Sequence, residues 1–305
     1  MGGDAAAGMQ MTPPALVVAV SSRALFDFEE ENKIFKDKDK DEAAYIEMQR
    51  ARLDEAPARG VAFSLVQKLL AFNRGDEELV RIVVMSRNDP VTGLRVFRAI
   101  AENRLQIKQG CFTRGNPSFP YLRPLGAHLF LSALEDDVKK ALDDGVPAAH
   151  VAGGKTDAPK KDGVLRVAFD GDAVLFDDNS ERFFQEQGLD AFRAQEEKMK
   201  NEPLSPGPLK PFLEALAALQ NRLGEERGKI RTALVTARGA PAHERPIRTL
   251  QKWGLEVDEA FFMDGRSKRE VISEFGADFY FDDNIKHVGG LPQGGHVPSG
   301  VVNDS

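Results

Sequence analysis

The sequence has almost no cysteine, no long apolar run and no excess of positive charge, and each absence excludes a class of protein. Its one cysteine, Cys111, rules out an internal disulfide framework and fits a reducing compartment. No apolar run approaches the roughly 18 to 20 residues that a membrane-spanning helix needs. A formal net charge of -7 gives no basic footprint for a nucleic-acid backbone. We therefore expect a cytoplasmic protein that has neither a membrane nor a nucleic acid as a partner.

The chain divides into two stretches that look like folded domains, and its 305 residues are enough for both. Residues 1–14 are small and polar, lack the features of a signal peptide and predict a disordered tail. Residues 151–163 are rich in Gly, Pro and Lys, and they predict an exposed linker between a domain of residues 15–150 and a second domain of residues 164–290. Residues 291–305 are expected to be a C-terminal tail.

The second stretch alternates short apolar runs with helical patterns. The runs predict buried parallel strands that end in polar residues: Leu165–Gly171, Arg231–Ala237 and Asp278–Asp283. The helical patterns cover Leu209–Leu223, Pro241–Trp253 and Lys268–Phe275. This alternation favours a doubly wound, Rossmann-like α/β fold, in which ligands bind beyond the carboxyl ends of the strands.

A long insertion follows the first of these strands. Residues 178–208 are too many for a plain crossover loop and contain two amphipathic helical patterns, so they predict a small helical lid. Phe183, Phe184 and Phe192 could stack on a base, or they could form the lid's own core.

The first stretch resembles the second in more than class. Segments that begin at Val18, Arg81 and Ala127 align with segments that begin at Val167, Arg231 and Ala277, about 150 residues further on. We infer an internal duplication, in which residues 15–150 form an α/β copy of the catalytic unit. The alternative is that any two α/β domains share similar distances between strands.

Asp170 and Asp172 come directly after an apolar strand. Carboxylates at positions i and i+2 of an extended segment point the same way, although a tight turn could re-aim the second. Such a pair can hold a hard cation, with one oxygen attacking phosphorus and the other handling the proton of the leaving group.

Thr236 ends the next strand and is followed by Ala237 and Arg238. A hydroxyl and the neighbouring backbone N–H groups at a helix start can hold phosphate oxygens. Thr236 could instead serve as the N-cap of the helix from Pro241.

A lysine and a pair of acids complete the set. Lys268 could offset charge on a transferring phosphoryl group, and Lys210 is a rival candidate. Asp282 and Asp283 close the third strand, where two adjacent acids repel each other unless a cation or hydrogen-bond donors offset them.

The order DxD, Thr, Lys, DD resembles the four motifs of the haloacid dehalogenase superfamily of phosphatases. Within that superfamily, the segments FDGDAVLF, GPLKPFLEAL, LVTARGAP, LQKWGLEVDEAFF and FYFDDNIKHV are similar to the cytosolic 5′-nucleotidase I family. The likeness extends over nearly the whole chain from about Leu16.

The resemblance implies a haloacid dehalogenase-like domain that hydrolyses nucleoside 5′-monophosphates. It implies that Asp170 forms an aspartyl-phosphate and that Asp172 acts as general acid and then as base. Thr236 and Lys268 would bind the phosphoryl oxygens. Mg²⁺ would be held by Asp170, the backbone carbonyl of Asp172 and Asp282, with Asp283 orienting that shell.

The alignment also implies that the first stretch has lost the catalytic groups. Ser21 stands opposite Asp170, and Arg23 stands opposite Asp172. Ser132 and Ala133 stand opposite the acid pair Asp282 and Asp283, and Ser118 stands opposite Lys268. Ser86 stands opposite Thr236 and keeps a hydroxyl. This degenerate half would complete the core or hold a ligand such as an effector nucleotide.

Two other functions remain open at this point. The four motifs contact phosphate and not the leaving group, so a phosphatase for sugar phosphates or other small phosphomonoesters fits them equally well. A non-catalytic nucleotide-binding protein is the second alternative, although every motif carboxylate is present in the second stretch.

Overall fold

The structure is a computed structural model, and it describes residues 12–28, 42–151, 162–284 and 297–302. The strands are β1 (Leu16–Ser21), β2 (Phe26–Asp27), β3 (Ala58–Arg59), β4 (Val80–Ser86), β5 (Gln109–Phe112), β6 (Leu129–Ser132), β7 (Ala148–His150), β8 (Leu165–Phe169), β9 (Ile230–Thr236), β10 (Glu259–Phe262), β11 (Phe279–Asp282) and β12 (Ser299–Val301). The α-helices are α1 (Ser22–Leu25), α2 (Glu42–Ala51), α3 (Phe63–Leu70), α4 (Pro90–Glu102), α5 (Glu135–Asp143), α6 (Asn179–Gln187), α7 (Leu189–Lys198), α8 (Lys210–Leu223), α9 (Glu244–Trp253) and α10 (Arg269–Phe275).

Ten of the described strands form one sheet in the order β10-β9-β8-β11-β12-β7-β6-β1-β4-β5. Neighbouring strands are parallel, except where β7 and β12 meet antiparallel with Val301 opposite His150. The two stretches of the sequence are therefore halves of one continuous sheet. Most of the predicted linker, residues 152–161, lies outside the described residues.

The two halves follow the same strand order. In the first half the order is β5-β4-β1-β6-β7, and in the second it is β10-β9-β8-β11-β12. A shared order of five parallel strands is the arrangement that the inferred duplication predicts. The duplication itself stays a prediction, because similar topologies also arise in unrelated α/β folds.

Apolar side chains cover both faces of the sheet, as expected for buried parallel strands. Along β1, Leu16, Val18 and Val20 pack into a core that continues through the second half and includes residues of α3, α4, α8 and α9. Val17 and Ala19 pack on the opposite face with residues of α5, and α10 covers that face in the second half. Helices on both faces of a mostly parallel sheet make this an α/β fold of Rossmann-like type.

Part of the predicted C-terminal tail belongs to the sheet. Residues 299–301 fall within the predicted C-terminal tail, yet they form β12 at the junction of the two halves. Residues 1–11, 285–296 and 303–305 lie outside the described residues. Among the residues that are described, no helix combines the length and the apolar character needed to cross a bilayer.

The predicted lid region contains two helices, α6 and α7. An antiparallel bridge between Phe176 and Pro206 closes the base of this insertion. A Cβ on Gly207 would lie 2.3 Å from the carbonyl oxygen of Phe176, so only glycine permits this close approach.

Candidate active site

The predicted acidic residues meet at one edge of the sheet. Asp170 follows β8 and Asp282 ends β11, and these strands are parallel neighbours with Phe169 opposite Phe281. Thr236 ends β9, on the other side of β8. Because the carboxyl ends of parallel strands lie at one edge, positions more than a hundred residues apart in the chain become neighbours.

Asp170 is almost fully buried and both of its carboxylate oxygens are engaged. One oxygen accepts the backbone N–H of Gly171 at 2.6 Å, and the other accepts Lys268 Nζ at 2.6 Å. Burial raises the pKa of Asp170 to about 8, with Asp282 and Asp172 adding to the rise and Lys268 opposing it. Burial lowers the pKa of Lys268, but Asp170 and Asp282 outweigh that effect, so its pKa is raised.

Asp282 is fully buried beneath this pair. Its Oδ2 accepts the hydroxyl of Tyr280 and lies 3.5 Å from Lys268 Nζ, while its Oδ1 accepts the backbone N–H of Asn284 at 2.8 Å. Burial, Asp282 and then Glu181 raise the pKa of Asp283 to about 7. This edge therefore holds more negative charge than Lys268 alone offsets.

One oxygen from each of three carboxylates, Asp170, Asp282 and Asp283, lies within 4.8 Å of the other two. Oxygen donors from carboxylates suit a hard divalent cation such as Mg²⁺. Such an ion would also favour the ionised carboxylates that burial and mutual repulsion disfavour. The residues present therefore fit the predicted Mg²⁺, with the side chain of Asp283 lying in the cluster.

The side chain of Asp172 is outside this cluster because the chain turns sharply after Asp170. A tight turn runs from Gly171 to Leu175, with Ala173 in the left-handed region at φ 60°. Asp172 instead accepts two hydrogen bonds from the guanidinium of Arg238, one from Nε at 2.8 Å and one from Nη2 at 2.6 Å. The sequence reasoning allowed for this turn, but it did not identify Arg238 as the partner of Asp172.

Thr236 is buried at the end of β9 and is not a helix cap. Its Oγ1 accepts the backbone N–H of Arg238 at 3.2 Å, and α9 starts only at Glu244 with no side-chain cap at His243. The N-cap interpretation of Thr236 is therefore wrong. Ala237 and Arg238 line the cavity above.

The two candidate lysines lie in different environments. Lys268 is buried beside Asp170. Lys210 donates to Glu214 one turn along α8 and lies over the ring of Trp253, 5.1 Å from its centroid. The geometry thus brings Lys268, and not Lys210, to the acidic centre.

A cavity of about 390 Å³ opens over these residues and has the lid as its wall. Its polar floor includes Asp170, Asp172 and Lys268, and its apolar side includes Phe184 and Leu189. This volume and mixed lining are typical of sites for small molecules. Phe184 is 42% exposed and Leu189 is 47% exposed, so both are available to a ligand.

The lid is attached to the body of the protein by ionic contacts that the sequence reasoning missed. Arg193 of α7 donates to Asp264 at 3.1 Å, and the buried Glu196 of the same helix pairs with Arg238 and Arg245. Phe192 packs edge-on against Phe184 with ring centroids 5.8 Å apart, so it belongs to the lid's own core. No signal in the sequence separates Glu196 from its neighbour Glu197, because only their burial differs.

Hydroxyls stand at the matching strand ends of the first half. Ser21 Oγ accepts the backbone N–H groups of Ala24 and Ala133 at 3.2 Å, and Ser86 Oγ lies 3.1 Å from Ser22 Oγ. Within the described residues, the acidic cluster of the second half has no counterpart here.

Fold and site together define an α/β protein with an acidic, lysine-containing centre at the carboxyl edge of a parallel sheet. Comparison with known proteins gives the family. The sequence profile of the family described as 5′-nucleotidase matches residues 9–304. The chain is 35% identical over 295 residues to human cytosolic 5′-nucleotidase 1B, an alignment that includes 93% of this chain and 48% of the human protein. The chain belongs to the cytosolic 5′-nucleotidase I family.

The chain thus spans about half the length of the curated relative that it matches. Among solved structures, a chain described under "Structure of Pnkp1/Rnl/Hen1 complex" aligns with a TM-score of 0.32 at 14% identity, over 96% of this chain and 98% of that chain. That similarity is too low to support any inference.

Proposed function

We propose that this protein hydrolyses nucleoside 5′-monophosphates to nucleoside and phosphate in the cytoplasm, with Asp170 as the nucleophile. The observation that carries the proposal is the buried contact of Asp170 with Lys268 among three carboxylates, at the floor of a cavity with an apolar wall. Membership of the 5′-nucleotidase family supports the substrate class.

In the proposed reaction, a carboxylate oxygen of Asp170 attacks phosphorus while the bond to the nucleoside oxygen breaks. Asp172 gives its proton to that leaving oxygen, and nucleoside departs. Water then attacks phosphorus, Asp172 takes a proton from it, and the carboxylate of Asp170 is released with phosphate. Arg238 donates to both oxygens of Asp172, so turning an oxygen of Asp172 towards the leaving group would require a change in at least one of these two contacts.

Other groups at the site would hold the phosphate. Lys268 would neutralise charge on the phosphoryl oxygens, and the hydroxyl of Thr236 with the N–H groups of Ala237 and Arg238 would donate to them. Mg²⁺, held by Asp170, Asp282 and Asp283 and by the carbonyl of Asp172, would supply additional positive charge at the phosphoryl group.

The lid favours a nucleotide over a sugar phosphate. Phe184 and Leu189 present exposed apolar surface to the same cavity that holds the acidic floor. The exposed apolar surface of Phe184 and Leu189 would suit the face of a base. A panel of nucleoside monophosphates and sugar phosphates, assayed for phosphate release with and without a chelator, separates the two substrate classes and tests the need for Mg²⁺.

Replacement of the nucleophile tests the mechanism. Asp170→Asn is expected to lower turnover by several powers of ten, because the amide keeps the shape but cannot attack phosphorus. Ser21→Ala, at the matching strand end of the first half, is the control and is expected to retain turnover. Retention of more than about a hundredth of the activity by Asp170→Asn would contradict the assignment.

We propose in addition that the first half is a degenerate, non-catalytic copy of the haloacid dehalogenase-like unit. Its support is the shared strand order and the replacement of each motif carboxylate, as at Ser21 and Ser132. If Ser21→Ala removed hydrolysis as completely as Asp170→Asn, this proposal would be wrong.

A further inference from the structure

A buried ionic network joins the lid to Asp172. Arg238 donates to both oxygens of Asp172, and its remaining terminal nitrogen, Nη1, donates to Glu196 on α7. The other oxygen of Glu196 accepts Arg245 Nη1 at 2.8 Å and lies 3.3 Å from the hydroxyl of Ser180. Two carboxylates and two guanidinium groups therefore alternate along one chain of contacts.

The carboxylate and the guanidinium group at the centre of this network are both buried. Glu196 is 1% exposed and Arg238 is 4% exposed. Burial lowers the pKa of Arg238, but Asp172 and Glu196 outweigh that effect and raise it. Removing one partner from a buried charge pair is strongly destabilising, because an uncompensated charge remains. The orientation of Arg238 is thus set by two carboxylates, one beside the nucleophile and one on the lid.

The guanidinium group of Arg238 also lies over an aromatic ring of the same lid helix. Phe192 lies one turn before Glu196 on α7, and its ring centroid is 5.5 Å from the guanidinium carbon. Arg245 fixes Glu196 from the other side and donates to the carbonyl of Glu202 at 2.9 Å, without contacting Asp172. Within this network, the branch through Arg238 is therefore the one that reaches Asp172.

We propose that Glu196 is a positioning residue for Asp172: by holding Arg238, it makes the placement of the Asp172 carboxylate depend on the docking of the lid. This inference rests on the proposed function, in which Asp172 protonates the leaving group. Arg238 connects the two carboxylates. Because its guanidinium group is planar and rigid, a shift of Nη1, which binds Glu196, also moves Nε and Nη2, which bind Asp172.

The test compares two substrates that differ in their need for an acid. Glu196→Gln is expected to lower kcat for 5′-AMP by about 10- to 100-fold, because a misplaced acid assists departure of the nucleoside poorly. The same variant is expected to lower kcat for p-nitrophenyl phosphate at least several-fold less, since nitrophenolate departs without a proton. The ratio of the two kcat values is the readout, and a purely structural role would leave it unchanged.

Arg245→Met is the matched control, because it removes a partner of Glu196 from the same buried network but leaves the Arg238 branch intact. It is expected to lower thermal stability and to keep the ratio within about twofold of the unmodified protein. Equal losses with both substrates in Glu196→Gln, no loss, or the same change of ratio in Arg245→Met would each overturn the inference.

Two further measurements keep the test decisive. If Glu196→Gln does not fold, Glu196→Asp replaces it, because it keeps the charge on a shorter side chain. Glu196→Asp is expected to change the ratio of the two kcat values in the same direction. An unchanged ratio would overturn the inference. Asp170→Asn separates the two proposals. If that variant is inactive on both substrates while Glu196→Gln leaves the ratio unchanged, only the role of Glu196 fails; if Asp170→Asn stays active, the proposed function fails.

Discussion

The two halves of the sheet are tied together by a buried ion pair whose removal has a predictable cost. Lys68 of α3, in the first half, lies 2.7 Å and 2.8 Å from the two carboxylate oxygens of Asp278, which precedes β11. Its Nζ also donates to the carbonyl of Val164 at 2.6 Å, and Asp278 accepts the backbone N–H of Arg166 at 2.8 Å. Lys68 is 9% exposed and Asp278 is 6% exposed, so solvent screens this pair weakly.

Lys68→Met leaves the carboxylate of Asp278 buried with a single backbone donor. We expect a loss of about 3 to 5 kcal/mol in the free energy of unfolding, the range for a buried pair that loses one partner. With an m-value of roughly 3 kcal/mol per M, this loss lowers the urea midpoint by about 1 M or more. Asp278→Asn in the Lys68→Met background is expected to recover part of the loss, because it removes the uncompensated charge.

Urea unfolding followed by two probes measures the effect. The single tryptophan, Trp253, lies in the second half, whereas far-ultraviolet circular dichroism reports on both halves. Lys229→Met is the control, since Lys229 pairs with Glu226 on the exposed surface, where solvent weakens the interaction. If Lys68→Met were no less stable than Lys229→Met by both probes, the reasoning about this ion pair would be refuted.

Three further predictions concern the active site. Asp172→Asn is expected to lower turnover of nucleoside monophosphates by about 100-fold or more, and turnover of p-nitrophenyl phosphate by less, because nitrophenolate departs without a proton. Equal losses with both substrates in steady-state kinetics would argue against the acid role of Asp172. Lys268→Met is expected to lower turnover by about two powers of ten, whereas Lys210→Met keeps it within about threefold; the reverse ranking would assign the phosphate to Lys210. Binding of Mg²⁺, measured by titration calorimetry, is expected to tighten as the pH rises from about 6 to about 9, because the carboxyls must lose their protons to bind the ion. Asp170 and Asp283 carry those protons, with pKa values raised to about 8 and about 7, so an affinity independent of pH would contradict the proposed ligands.

Local pattern in the sequence was sufficient to predict the elements that carry the site. The apolar runs before Asp170 and Asp282 became β8 and β11, and the pattern from Leu209 to Leu223 became α8. Parallel strands buried on both faces must be apolar throughout, and their carboxyl ends must share one edge. These two constraints are enough to predict that Asp170, Thr236 and Asp282 lie at one edge of the sheet.

Only the tertiary structure decided which side chains pair across long separations. Nothing local distinguishes Lys268 from Lys210, since each lies at the start of a helix, yet of the two only Lys268 reaches Asp170. The pairing of Arg238 with Glu196 joins a strand end to the lid, and its cause is shared burial, which a single sequence does not encode at either position.

The joining of the two halves was likewise invisible to local pattern. Strands β7 and β12 have three residues each, too few for periodicity to mark them, and β12 lies in a Gly- and Pro-rich segment that was predicted to be a tail. Their antiparallel contact at His150 and Val301 turns two sheets into one. The sequence by itself thus determined the strands that carry the candidate site and the polar residues at their ends, whereas the sheet order and the buried charge pairs depended on contacts between residues far apart in the chain.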